Sequence, residues 1–256
     1  SWSAIATGLP HGWSVNVIAE HHRTPNLLFL GNEIGVYISI DRGEHWTRIK
    51  SNLPVVPVDD LAIHPRANDL IVGTHGRSVW ILADVTPLEH LSSELLGEAG
   101  RLFPQKPVTM WTERGDWPFY GATYSASNPP RGALIRYYLN EAKLDKDSEE
   151  EEPRNQETSA ASEEFYLTIE DAQGEHIRRL NIPNSSGINE VVWDWRYDAP
   201  YEMDEEADDG DSGFRGGPPQ GPIVLPGTYT VTMDLGIQSY STTVEIKADP
   251  RRSMTD

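Results

Sequence analysis

Ser39-Ile40-Asp41-Arg42-Gly43-Glu44-His45-Trp46 decides how the first third of this chain is read. It fits the pattern S-x-D-x-G-x-x-W, with four specified positions in eight. The aspartate can accept backbone N–H bonds across a hairpin, the glycine can take a positive φ, and the tryptophan can plug the gap between adjacent sheets. All of these roles are structural, so Ser39, Asp41, Gly43 and Trp46 are assigned to building a turn, and Asp41 is not read as a catalytic carboxylate.

Around this turn the sequence repeats. Trp2, Ile5, Leu9 and Pro10 recur 44 positions later as Trp46, Ile49, Leu53 and Pro54. At a spacing of 43 come Ile18/Leu61, Ala19/Ala62, His21/His64, Arg23/Arg66, Leu27/Leu70, Val36/Val79, Tyr37/Trp80 and Ile38/Ile81. A period near 44 built from short apolar runs is that of a four-stranded propeller blade, whereas a helical solenoid would carry a 3.6-residue period inside each unit. Strands are expected at Val15–Glu20, Leu27–Leu30, Val36–Ser39 and Trp46–Ile49, then at Asp60–His64, Asp69–Val72 and Ser78–Leu82. Residues 1–85 thus make an incomplete β-propeller of about two blades plus the closing strand of a third, and propellers close with typically 4–8 blades. A bare blade face of roughly 500 Å² would cost about 12 kcal/mol at 25 cal/mol per Å², as much as the whole net stability of a typical domain. The remaining blades are expected from a parent chain, a partner chain or other copies of this one.

The second unit lacks its fourth strand at the expected place. Thr86-Pro87-Leu88-Glu89 there offers an N-cap hydroxyl, a proline at the first helical position and a following glutamate, which predicts a helix over about 86–97. Leu102–Phe103 or Val108–Trp111 are candidates to return and complete the last blade. Residues 86–130 read as a helical, Pro- and aromatic-rich connector. Beyond it, alternating runs at Ala133–Leu139, Phe165–Glu170, His176–Leu180, Asn189–Arg196, Thr228–Asp234 and Ser241–Ile246 predict a small β-sandwich over 131–250 with an aromatic core of Tyr137, Tyr166, Trp193, Trp195 and Tyr229. Asp171–Gly174 and Pro226-Gly227 are its turn signals.

The net charge of −19 is concentrated: residues 141–164 hold ten acids against three bases and 202–211 hold seven acids and no base, together 14 of the excess. Both stretches read as solvated acidic loops, at 141–164 and 202–220, and the nearly balanced remainder lacks the basic stripe that nucleic-acid binding needs. The cluster Asp204 to Asp211 has the oxygens for calcium but not the ligand order of an EF-hand loop. With no cysteine, disulfides and thiolate metal sites are excluded. His21 and His64 match each other in the repeat, which points to a structural role rather than a metal. No cofactor motif is present.

The octet at 39–46 resembles the Asp box of the BNR-repeat propellers, which include sialidases, xyloglucan-cleaving enzymes and sortilin receptors. Leu61-Ala62-Ile63-His64-Pro65-Arg66, Gly73-Thr74-His75-Gly76-Arg77 and Val85-Thr86-Pro87-Leu88 are similar to the large exported bacterial sortilin-like proteins of the "glycosyl hydrolase, BNR repeat" type. Asn128–Ala133, Gly187–Arg196 and Leu225–Tyr229 resemble the Ig-like domain of the flagellar hook-assembly cap protein. The resemblance implies an all-β chain, an exported (periplasmic or extracellular) location, and a non-catalytic scaffold or ligand-binding segment of a larger propeller protein. Its alternatives are part of a glycoside hydrolase whose active site lies mainly in other blades, or a sortilin-like peptide-binding module. Two facing carboxylates would be needed for the hydrolase; Glu33 and Asp84 are the acids near strand ends. Glu33, His75 and Arg77 are the candidate ligand-facing residues, for a glycan or a peptide, because loop tips carry binding.

Overall fold

The computed structural model describes residues 3–50, 52–112, 130–140, 165–200, 220–236 and 238–252. The acidic stretches 141–164 and 202–211, the connector 113–129 and Trp2 lie outside them. The described residues are all-β apart from two short helical turns. The chain divides into two compact units, Ser1–Gly97 and Glu98–Asp256.

Unit 1 holds two antiparallel sheets. The first runs in sequence order through β1 (Val15–Glu20), β2 (Leu28–Asn32), β3 (Gly35–Ser39) and β4 (Thr47–Arg48), and the second through β5 (Val58–Ile63), β6 (Leu70–Thr74) and β7 (Val79–Leu82). Because side chains alternate across a strand, the register sorts them into faces. In the first sheet Ala19, Phe29 and Ile38 are cross-strand partners on one face, its front, and Ile18, Leu30 and Tyr37 on the other, its rear. In the second sheet the corresponding rows are Ala62, Ile71 and Ile81 on the front and Leu61, Val72 and Trp80 on the rear.

The front of the first sheet packs on the rear of the second. Phe29 and Val36, with Ala19 and Ile38 beside them, share one core with Leu61, Leu70, Val72 and Trp80. Contact is close enough that a Cβ on Gly31 would lie 2.5 Å from Val58 Cγ1. A smaller cluster of Leu30, Tyr37 and Trp46, joined by Leu9 and Leu28, covers the rear of the first sheet. On the front of the second sheet Val79 is 63% exposed and Ile81 64%.

The expected helix over 86–97 is interrupted. Its first turn is α1 (Thr86–Glu89), and a 3-10 turn follows at Leu95–Gly97. Thr86 is not the cap: its hydroxyl donates to Asp84 Oδ1 at 2.6 Å and accepts from Asn68 Nδ2 at 3.0 Å. Ser92 Oγ accepts the Leu95 N–H at 3.1 Å, the local side-chain bonding that competes with a continuing helix.

Unit 2 is built from β8 (Gly100–Leu102), β9 (Val108–Thr109), β10 (Ala133–Leu139), β11 (Tyr166–Glu170), β12 (His176–Asn181), β13 (Gly187–Trp193), β14 (Gly227–Asp234) and β15 (Ser239–Lys247). One sheet has the order β13-β10-β8 and the other β12-β11-β14-β15-β9. The segments near 102 and 108 therefore do not complete a sheet of unit 1: β8 pairs with β10 and β9 runs parallel to β15. The two sheets close on one core, with Ile135, Tyr137, Leu139 and Trp193 on one side and Leu167, Ile169, Val231, Met233 and Val244 on the other.

Four of the five expected core aromatics are buried. Trp193 and Tyr229 meet edge to face at 5.0 Å, the favoured geometry for such a pair. Tyr137 donates to the Pro183 carbonyl at 3.1 Å, and burial pushes its phenol up to about 12. Tyr166 is the exception. The alternation of β11 sets it on the outer face, where the Arg179 guanidinium lies 3.5 Å from its ring centroid.

Candidate functional site

In unit 1 the chain turns back at two ends, and the register fixes which residues share each. At one end lie the β2–β3 turn, which holds Glu33, and the β6–β7 turn, which holds His75 and Arg77; there Asn16 Nδ2 donates to the Val58 carbonyl at 3.0 Å and bridges the starts of β1 and β5. The three residues expected to face a ligand thus sit at one end. Glu33 is half-buried, whereas His75 and Arg77 are exposed. His75 Nδ1 faces Asp59 Oδ2 at 3.1 Å, and its backbone N–H donates to the Pro57 carbonyl at 2.9 Å. Asp84 follows β7 and lies at the opposite end from Glu33. These two acids do not form a facing pair of the kind glycoside hydrolysis uses.

The opposite end carries the octet turn. Ser39 Oγ donates to Asp41 Oδ1 at 2.7 Å and accepts from the Gly43 N–H at 2.7 Å, and Asp41 Oδ1 accepts the His45 N–H at 2.9 Å. Gly43 has φ +91. Trp46 is buried, its indole N–H donating to the Ile5 carbonyl at 2.8 Å and its backbone N–H to the Thr7 carbonyl at 2.8 Å. Partial burial works to raise the Asp41 carboxyl, but the bonds from the His45 backbone, the Ser39 hydroxyl and the His45 ring hold it below the usual range. Asp41, Glu44 and His45 bring possible donor atoms within 4.8 Å of one another at a largely exposed corner. The aspartate oxygens there are already engaged by Ser39 and His45.

Beside it stands a buried polar network that sequence reasoning missed. Asn68, fully buried at φ +60, accepts from His21 Nε2 at 2.8 Å and donates to Glu89 Oε1 at 2.6 Å. Glu89 also receives Arg23 at 2.6 Å and Thr24 at 3.2 Å. The Arg23 N–H points at His21 Nδ1 at 3.4 Å. Burial acts to raise the Glu89 carboxyl, and Arg23, Asn68 and His21 together bring it below its ordinary value. His64 repeats part of the pattern, its Nδ1 accepting the Ala67 N–H at 2.9 Å. Both imidazoles hold a turn.

No family model matches the chain, and no curated protein matches it. Two solved structures of the extracellular domain of a B. thetaiotaomicron signalling protein, described once as a one component system and once as a hybrid two component system, align with it. They cover 94% and 93% of this chain at 10% and 9% identity, with a TM-score of 0.24 in both cases. The chain spans 26% of their length. Likeness at that level carries no argument about fold or function. Among the described residues no helix is long and apolar enough to cross a membrane.

Proposed function

We propose that the chain is a non-catalytic scaffold or ligand-binding segment of an exported protein, built from two wedges of an Asp-box propeller and an Ig-like sandwich. The observation that carries this reading is the head-to-tail repeat of faces in unit 1. The front of the first sheet is covered by the rear of the second, while the equivalent front of the second is left with Val79 and Ile81 exposed. A unit that ends on an apolar sheet face is suited to stack further sheets of the same kind, which other blades would supply.

The turn end with Glu33, His75 and Arg77 is the surface on which such a scaffold would present a glycan or an extended peptide. Hydrolysis is the less supported alternative, because Glu33 and Asp84 stand at opposite ends. The test is to incubate the full chain with sialosides, xyloglucan and extended peptides while following binding and product together. Saturable binding without product, weakened about tenfold by His75→Ala with Arg77→Ala, is the expected result. Product formation that Glu33→Gln abolishes would overturn the reading.

A further inference from the structure

The two sheets of unit 2 end on β13, β8, β12 and β9, and three of these edges are guarded. β8 and β9 are three and two residues long. Along β12 lies Asp198, whose N–H donates to the Ile177 carbonyl at 2.9 Å and whose Oδ1 accepts the Arg179 N–H at 3.3 Å. Short edge strands and covering segments keep a sheet from pairing with other chains. β13 has neither. It runs seven residues without proline, keeps an unbroken register with β10, and carries one charge, Glu190, 3.5 Å from Arg136.

The direction of its main-chain groups follows from the neighbouring strand. The Arg136 N–H donates to Gln105 Oε1 at 3.2 Å and its carbonyl accepts the Phe103 N–H at 3.2 Å, both on the β8 side. In an antiparallel ladder the N–H and C=O of one residue point the same way, and successive residues alternate. Arg136 therefore exchanges no bond with its partner Glu190, and the ladder bonds join Ile135 to Val191 and Tyr137 to Asn189. The N–H and C=O groups of Ile188, Glu190 and Val192 thus point outward, and no described residue takes them. Their side chains form one row on the outer face, with Ile188 and Glu190 exposed.

We propose that β13 is a strand-addition site, and that its occupant is an extended basic segment of a partner protein, with a lysine or arginine opposite Glu190 and branched apolar residues opposite Ile188 and Val192. An added edge strand gains main-chain hydrogen bonds, and its alternate side chains supply the selectivity. Directly opposed pairs of unlike charge are favourable, and like charges are not. Charge also decides between this partner and a second copy. The net charge of −19 draws cationic chains and repels its own kind, and β13 paired with itself about Glu190 would set two carboxylates face to face. The antiparallel direction is assigned because that ladder is the more stable per residue. One added strand buries less than the ~1,200 Å² of a stable interface, so binding is expected to be weak. The site lies within unit 2 and does not rest on the wedge reading of unit 1.

The test is calorimetric titration of the full chain with the synthetic peptide Thr-Val-Thr-Lys-Thr-Val-Thr up to about 1 mM, together with amide hydrogen exchange. Saturable binding is expected, with new protection at the amides of Ile188, Glu190 and Val192. Glu190→Pro removes only an outward N–H, a change an edge strand tolerates, so it should fold as the wild type does and bind about tenfold more weakly. Glu190→Lys, which keeps the N–H, should prefer the same peptide with glutamate in place of lysine. No saturable binding at the highest concentration overturns the proposal, as does binding that Glu190→Pro leaves unchanged or that protects other strands. Equal affinity of the wild type for the lysine and glutamate peptides removes the basic partner. A mass that doubles without peptide, with the same three amides protected, gives the edge to a second copy and the proposal falls. Binding lost in His75→Ala with Arg77→Ala instead moves the peptide to the turn end of unit 1, leaving the scaffold reading intact and this site refuted.

Discussion

Ile81 and Val231 are both β-branched residues on interior positions of antiparallel strands, yet the first is 64% exposed and the second is fully buried. The difference lies in how each unit ends. In unit 2 two sheets turn their apolar faces toward each other and share one core, so the faces are used up. In unit 1 the second sheet repeats the first rather than facing it, so each front needs another rear. Opposed sheets close after two layers, whereas repeated sheets close only as a ring or against a cap.

The sealed core should therefore show the largest penalty for a deleted side chain. Trp193 is fully buried, its indole N–H donates to the Arg196 carbonyl at 3.0 Å, and its ring packs on Tyr229. Trp193→Ala is expected to cost unit 2 about 3–5 kcal/mol, a fall in its melting temperature of about 10 °C for a unit of this size. Differential scanning calorimetry would check it. A loss under about 1 kcal/mol would mean that the two sheets do not seal one core.

In unit 1 the expected weak point is polar. Asn68→Ala would leave His21 Nε2 without its partner, would take from Glu89 Oε1 one of the two donors that it shares with Arg23, and would place a side chain poorly suited to φ +60 at that position. A cost of about 2–4 kcal/mol is expected from the two effects. Asn68→Gly separates them, restoring roughly 1 kcal/mol by relieving the backbone while leaving the bonds unmade. Equal losses in both variants would show that the backbone conformation contributes nothing.

Acid sharpens the same point. The folded Glu89 carboxyl sits below its ordinary value of 4.5, so the folded state binds the proton less readily than the unfolded one. Its stabilisation is complete above that value and is lost as pH falls through the folded value. Urea midpoints for unit 1 should therefore drop on acidification below pH ~4.5. Glu89→Gln should flatten that drop, and an unchanged slope in the variant would assign the acid sensitivity to other carboxylates.

What could be read ahead of the coordinates follows from how local each signal is. Val15–Glu20 and Ala133–Leu139 were placed to the residue because alternation within one strand needs no partner to be seen. The Asp171–Gly174 hairpin was legible for the same reason, its Asp171 side chain and positive-φ glycine being turn chemistry. The octet turn likewise carries its own hydrogen-bond donors and acceptors. The helix was overestimated because Ser92 takes the Leu95 N–H and Asp84 takes the Thr86 hydroxyl, local bonds that a periodicity count ignores. The His21–Asn68–Glu89 network was invisible because its members lie 47 and 21 residues apart. The only sequence hint was a turn-forming Asn68-Asp69 after Pro65. The runs near 102 and 108 were only candidates for the last sheet of unit 1, and they pair in unit 2 instead, because runs this short do not name their partners.

The smallest expected effect bears most directly on the contrast. Ile81 lies on the uncovered front, so replacing it with threonine, which keeps β-branching and strand propensity, removes no packing from the isolated chain. Ile81→Thr is expected to leave the urea midpoint at low protein concentration within about 0.5 kcal/mol of the wild type. The equivalent change on the covered front, Ile38→Thr, removes a side chain packed against the shared core and should cost about 1–3 kcal/mol. The two isoleucines occupy the same place in successive repeats, so the gap between the variants measures the presence of a following sheet and little else. Equal costs would mean that the front at Ile81 is already covered in solution, and the open end of unit 1 would then have to be redrawn as closed.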